Sequence, residues 1–141
     1  MAEAAPPFVL GHRVSFSKTI TDDDIRQTAV VTGDTNPLHL DDAYAQRTRF
    51  RQRIAHGVLT SGVLSAAIGT QLGGPDYTVI LLSMSLQFQR PVLPGDTVTA
   101  TAEVTGIDRR RLTLRAECVN QRGEQLCTGE VNVLLDPYPR E

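Results

Sequence analysis

Eight residues, TGDTNPLH at positions 32–39, bring an acid, an amide, a proline and a histidine into one short stretch. Asp34 and His39 are the side-chain types best suited to moving protons near neutral pH, and the rigid Pro37 between them limits how the segment bends. A plain turn accounts for part of this pattern: Gly33 can take positive φ at a helix C-terminus, and Asn36-Pro37 favours an extended or turn dipeptide. The turn reading leaves the acid and the imidazole unused, so turn and site both stand on these residues alone.

The elements that must hold such a pair can be read outward from it. Thr21 followed by Asp22, Asp23 and Asp24 is a helix N-cap with acids in the first turn, leading through IRQTAVV to a stop at Gly33. A second helical pattern lies in LDDAYAQRTRF, and a long helix is expected from near His56 to about Leu72. That helix is rich in small residues, Gly57, Gly62 and Gly69 among them; each Gly costs roughly 1 kcal/mol relative to Ala, so close packing against a sheet must compensate. Val14, Phe16, Lys18 and Ile20 alternate with polar residues as a strand, and the lysine marks it as an edge strand. TVILLSMSLQFQ, GDTVTATAEVTG, RLTLRAECV and QLCTGEVNVLL alternate as four further strands, read as an antiparallel meander. The expected class is α+β, a curved antiparallel sheet enclosing a helix.

Composition limits the partners. With 141 residues and 40% apolar content the chain suits one domain, residues 1–141, with residues 1–8 as a loose tail. A net charge of -2 and the lack of a basic run interleaved with aromatics argue against nucleic acid. MAEAAPPF has neither the basic start nor the apolar run of a signal peptide, so a cytoplasmic location is expected. Polar residues interrupt the stretch 54–72 too often for a membrane span.

TGDTNPLHLDDAYA, then RFRQRIAHGVLTSGVLS, then LQFQRPVLPGDTV resemble the three blocks of the MaoC-like family of (R)-specific enoyl-CoA hydratases and (R)-3-hydroxyacyl dehydratases. The resemblance runs from about Thr21 to the last strand and implies the hot-dog fold, a homodimer joined sheet edge to sheet edge, and Asp34 and His39 as the catalytic dyad. It implies a substrate that is a 2-enoyl thioester of coenzyme A or of acyl carrier protein, hydrated to an (R)-3-hydroxyacyl thioester or dehydrated in reverse, with no cofactor beyond the carrier. The other activities the fold would allow are those of an (R)-3-hydroxyacyl-ACP dehydratase, a thioesterase or a non-catalytic acyl-thioester binding module.

The chemistry fits these residues. Water adds to an enoyl β-carbon only if a base takes one proton while another reaches the α-carbon, and an Asp/His pair can hold one water without a metal. Negative charge then builds on the thioester oxygen, where the backbone N–H of Gly57 at the helix start is well placed to meet it. Ser65 matches a family position near the reacting centre, whereas Asn36 and Pro37 are expected to support the loop. His56 reads equally as a helix-start residue or as part of the binding site, and His12 as surface. Arg47, Arg49, Arg51 and Arg53, or Arg109, Arg110 and Arg111, could meet carrier phosphates. Histidine and cysteine spacing along the chain does not suggest a metal site. A two-residue turn at Arg122-Gly123 would put Cys118 opposite Cys127, expected as reduced thiols.

Overall fold

The computed structural model describes residues 7–139, so residues 1–6 of the expected tail lie outside the described residues. The elements are β1 (Arg13–Thr19), α1 (Asp22–Thr32), α2 (Pro37–Leu40), α3 (Asp42–Gln46), α4 (Gly57–Gln71), β2 (Tyr77–Phe88), β3 (Thr97–Asp108), β4 (Arg111–Val119) and β5 (Gln125–Pro137). The strands form one antiparallel sheet in the order β1-β3-β4-β5-β2, with α4 packed on its inner face. This is the helix-in-sheet arrangement of a hot-dog fold, and β1 is at an edge as its lysine indicated.

Local sequence explains the helix ends. Thr21 Oγ1 accepts the Asp24 N–H at 3.1 Å while the Asp24 carboxylate accepts the Thr21 N–H at 2.9 Å, a reciprocal cap that starts α1. Gly33 ends it in the left-handed conformation at φ 78°, which releases the chain sharply into the loop carrying Asp34. The second helical pattern, residues 40–50, is helical over Asp42–Gln46, where Asp41 caps α3, and a further short helix, α2, capped by Asn36, forms in the preceding stretch, where the sequence allows a turn. In α4 the residues Thr60, Val63, Leu64, Ala67 and Ile68 are buried against the sheet, while Val58, Gly62 and Ser65 remain exposed. Inward-facing Val98, Ala100, Ala102 and Val104 of β3 and Leu112, Leu114 and Ala116 of β4 complete that core at near-zero exposure.

Three expectations need correction. β2 does not open a four-strand meander: it pairs with β5, and only β3, β4 and β5 follow one another as neighbours. The link from β2 to β3 carries Pro91 and Pro94, which cannot continue a ladder, and it crosses the sheet end with Val92 O accepting the Ala55 N–H at 2.8 Å. Phe8, assigned to the tail, instead packs edge-on against Tyr77 at 5.3 Å and against the core. The β4–β5 turn is longer than two residues, with Asn120 N–H donating to Glu124 O at 3.0 Å and Gly123 at φ 77°. An irregularity between Cys118 and Val119 then restores the register, so Cys118 does face Cys127. Both are buried free thiols; the Cys118 S–H donates to Cys127, which together with burial pushes the Cys118 thiol up.

Candidate active site

The loop after Gly33 and the segment before α4 meet at one point. Asp34 is exposed, and its Oδ1 accepts the Asn36 N–H at 3.2 Å. Asn36 Oδ1 accepts the Leu38 N–H at 3.0 Å, and Pro37 occupies the first turn of α2, where a missing N–H costs nothing. That single turn swings His39 inward to 7% exposure. Its Nδ1 lies 2.7 Å from the carbonyl oxygen of Ile54. A carbonyl can only accept, so Nδ1 carries a proton, and Nε2 is the nitrogen left to act as a base.

His56, the N-cap of α4, is 1% exposed and makes no capping bond with its side chain. Its Nε2–H instead donates to the backbone carbonyl of Asp34 at 3.0 Å, and its ring stacks on His39 with centroids 3.9 Å apart and planes 30° apart. One imidazole thus touches both members of the expected dyad. Sequence reasoning left this residue open between two roles; the signal available was its place immediately before Gly57 at a helix start.

Ligand-capable atoms of Asp34, His39 and His56 lie within 4.8 Å of one another, a cluster that spacing along the chain did not suggest. The two rings stack 3.9 Å apart with planes 30° apart, each with one nitrogen already directed at a backbone carbonyl.

Gly57 begins α4 beside this cluster. The first N–H groups of a helix have no intrahelical partner, and Gly57 is exposed with its N–H at the positive end of the helix dipole. A Cβ built there would meet the Phe88 ring at 3.5 Å, ordinary contact, so packing does not demand the glycine. A cleft of about 180 Å³ opens here, lined by Phe50, Gly57, Thr60, Phe88 and, at its polar rim, Arg49 and Arg90. A larger apolar cavity of about 600 Å³ lies between β1, α1 and α4, walled by Phe16, Val31, Val58, Leu59 and Val63.

The other singled-out residues separate. Ser65 is exposed on α4, eight residues past Gly57, or about 12 Å along the axis at 1.5 Å per residue. Arg53 is no solvated charge: it is 13% exposed, pairs with Asp22 at 2.6 Å and Asp42 at 2.8 Å, and also donates to His39 O at 3.2 Å. Arg109, Arg110 and Arg111 sit at the far end of β3, a strand of twelve residues, roughly 35 Å from the end near Ala55.

The MaoC like domain model matches residues 8–125. The (R)-specific enoyl-CoA hydratase of Rhodospirillum rubrum is 43% identical over 127 residues, covering 89% of this chain and 86% of that protein. The (R)-specific enoyl-CoA hydratase of Aeromonas caviae is 37% identical over 134 residues, covering 94% and 98%. The unliganded R-hydratase PhaJ1 of Pseudomonas aeruginosa superposes with a TM-score of 0.83 at 37% identity, covering 92% of this chain and 83% of its own. On a family match spanning most of its length, agreeing with the fold and with the loop that carries Asp34 and His39, the chain belongs to the MaoC-like family.

Proposed function

We propose that this protein is an (R)-specific enoyl-CoA hydratase, adding water to trans-2-enoyl-CoA to give (R)-3-hydroxyacyl-CoA and catalysing the reverse elimination. The observation that carries the reading is the convergence of Asp34 and His39, with His56, next to Gly57 at the start of α4. Relatives of known name at 37% and 43% identity support the same chemistry.

A water held between the Asp34 carboxylate and His39 Nε2 loses a proton to this pair as its oxygen bonds to the β-carbon. The carbon–carbon π electrons move toward the thioester, whose oxygen gains negative charge and is met by the Gly57 N–H. The proton passes from the pair to the α-carbon, so one water is added and the pair is restored. Both proton movements take place on the face of the acyl group turned toward the loop, which gives syn addition. Asn36 and Pro37 hold the loop, and the place of Ser65 in this reading is contact with the substrate along α4. The enzyme needs no cofactor of its own, since coenzyme A belongs to the substrate.

The working unit is a cytoplasmic homodimer joined along β2. That strand leaves one long edge unpaired and exposes Ile80, Leu81 and Leu82 at 42%, 51% and 42%, surface that a second copy would cover. Among the described residues no helix is long and apolar enough to cross a membrane.

Purified protein mixed with crotonyl-CoA should consume the conjugated enoyl absorbance without releasing thiol, and chiral analysis should find the (R)-3-hydroxy product. Release of coenzyme A from saturated acyl-CoA would instead make it a thioesterase, and neither reaction would make it a binding module. Parallel assays on coenzyme A and acyl carrier protein thioesters distinguish the hydratase from an ACP dehydratase.

A further inference from the structure

His56 takes no part in the proton transfers just described, yet it is the most enclosed titratable group at the site, at 1% exposure. Its contacts are specific. Nε2–H is committed to the Asp34 carbonyl at 3.0 Å, one ring face lies against His39 at 3.9 Å, and the next residue is Gly57. Nδ1 is buried with no hydrogen-bond partner among the described residues. A histidine that served only to cap α4 would turn a ring nitrogen to the helix N–H groups, and this one does not.

We propose that His56 is the positioning residue of the site, fixing the backbone of Asp34, the ring plane of His39 and the amide of Gly57 against one another from a single rigid side chain. Three groups that must converge on one acyl thioester come from separate places: the end of α1, the turn of α2 and the start of α4. His56 contacts the first two and directly precedes the third. The role needs a flat ring to stack and an N–H at its edge to donate, a combination that neither Gln nor Phe supplies. It also needs one tautomer, Nε2–H with Nδ1 bare, because an Nδ1–H would be a buried donor without an acceptor. His39 requires the opposite tautomer, with Nδ1–H given to Ile54.

This inference rests on the hydratase reading, and two measurements keep the two apart. First, in His56→Phe, which keeps the stack, and His56→Gln, which keeps a donor, kcat for crotonyl-CoA should fall about 10- to 100-fold with KM changed less than about threefold and with thermal midpoints near that of the parent. Normal kcat in either folded variant, or a loss that appears wholly in KM, overturns the positioning role while leaving the hydratase intact. Second, imidazole ¹⁵N shifts of the unsubstituted protein should show His56 protonated at Nε2 alone and His39 at Nδ1 alone. The opposite tautomer at His56 overturns the inference, whether or not the variants fold and whether or not enoyl-CoA proves to be the substrate.

Discussion

His39 owes its basic nitrogen to a carbonyl fifteen residues away, since Ile54 O takes the Nδ1–H and leaves Nε2 as the only site for a substrate proton. Asp34→Asn keeps the Asn36 contact in shape but removes the charge, and His39→Gln removes the base; each should lower kcat by roughly 10²- to 10⁴-fold with the far-UV CD spectrum unchanged. The amide of Gly57 can be tested separately, because His56 has φ -61° and ψ 137°, a conformation that tolerates a following proline, and the first helical position accepts one. Gly57→Pro deletes the N–H while preserving α4. It should cost about 10²- to 10³-fold in kcat, and activity equal to the parent's would show that this amide does not meet the thioester oxygen.

Between the helices, Arg53 ties the first turn of α1 to α3 and to the carbonyl of His39. Because both carboxylates are partly or largely exposed, Arg53→Ala should reduce stability by only about 1–2 kcal/mol, read as a lower urea midpoint. Hydrogen bonds from Arg26 and then Arg53 hold the Asp22 carboxyl below its ordinary value of 3.8, and the Thr21 backbone N–H does the same for Asp24. A depressed carboxylate adds stability that is complete above the ordinary value and is lost as pH falls through the folded one. The urea midpoint should therefore hold steady from neutral pH to about 5 and decline below about 4. Asp22→Asn should lower the neutral-pH midpoint and shrink that acid decline; an unchanged slope would dissociate the decline from this ion pair.

At the scale of the whole molecule the sheet has two edges of different character. β1 carries Arg13 and Lys18 and suits solvent, whereas β2 carries three adjacent exposed aliphatic residues. Light scattering after size exclusion should give twice the chain mass, and Leu81→Lys should shift the population toward one copy. Gly129 shows how closely β2 lies on β5: a Cβ there would run into the carbonyl oxygen of Ser85. Gly129→Ala should cost about 1–3 kcal/mol or more through overpacking, seen as a lowered melting temperature, and would weaken the edge strand on which a dimer depends.

Local chemistry made much of this legible from sequence. Thr21, the three aspartates and Gly33 bound α1 through caps that act within a few residues, and alternating Val, Ala and Leu mark the strands because burial repeats every second position. The same residues TGDTNPLH pointed to the dyad, since their order carries the chemistry. Strand pairing was not legible: β2 reads as well beside β3 as beside β5, and in the fold β1 and β4 take both edges of β3 while β2 pairs with β5. Nor were the duties of His56 and Arg53, residues whose partners Asp34 and Asp22 lie 22 and 31 positions away. Side-chain type can say what a residue is able to do, but which groups it meets depends on how helices and sheet close on one another, and that was set by the tertiary structure.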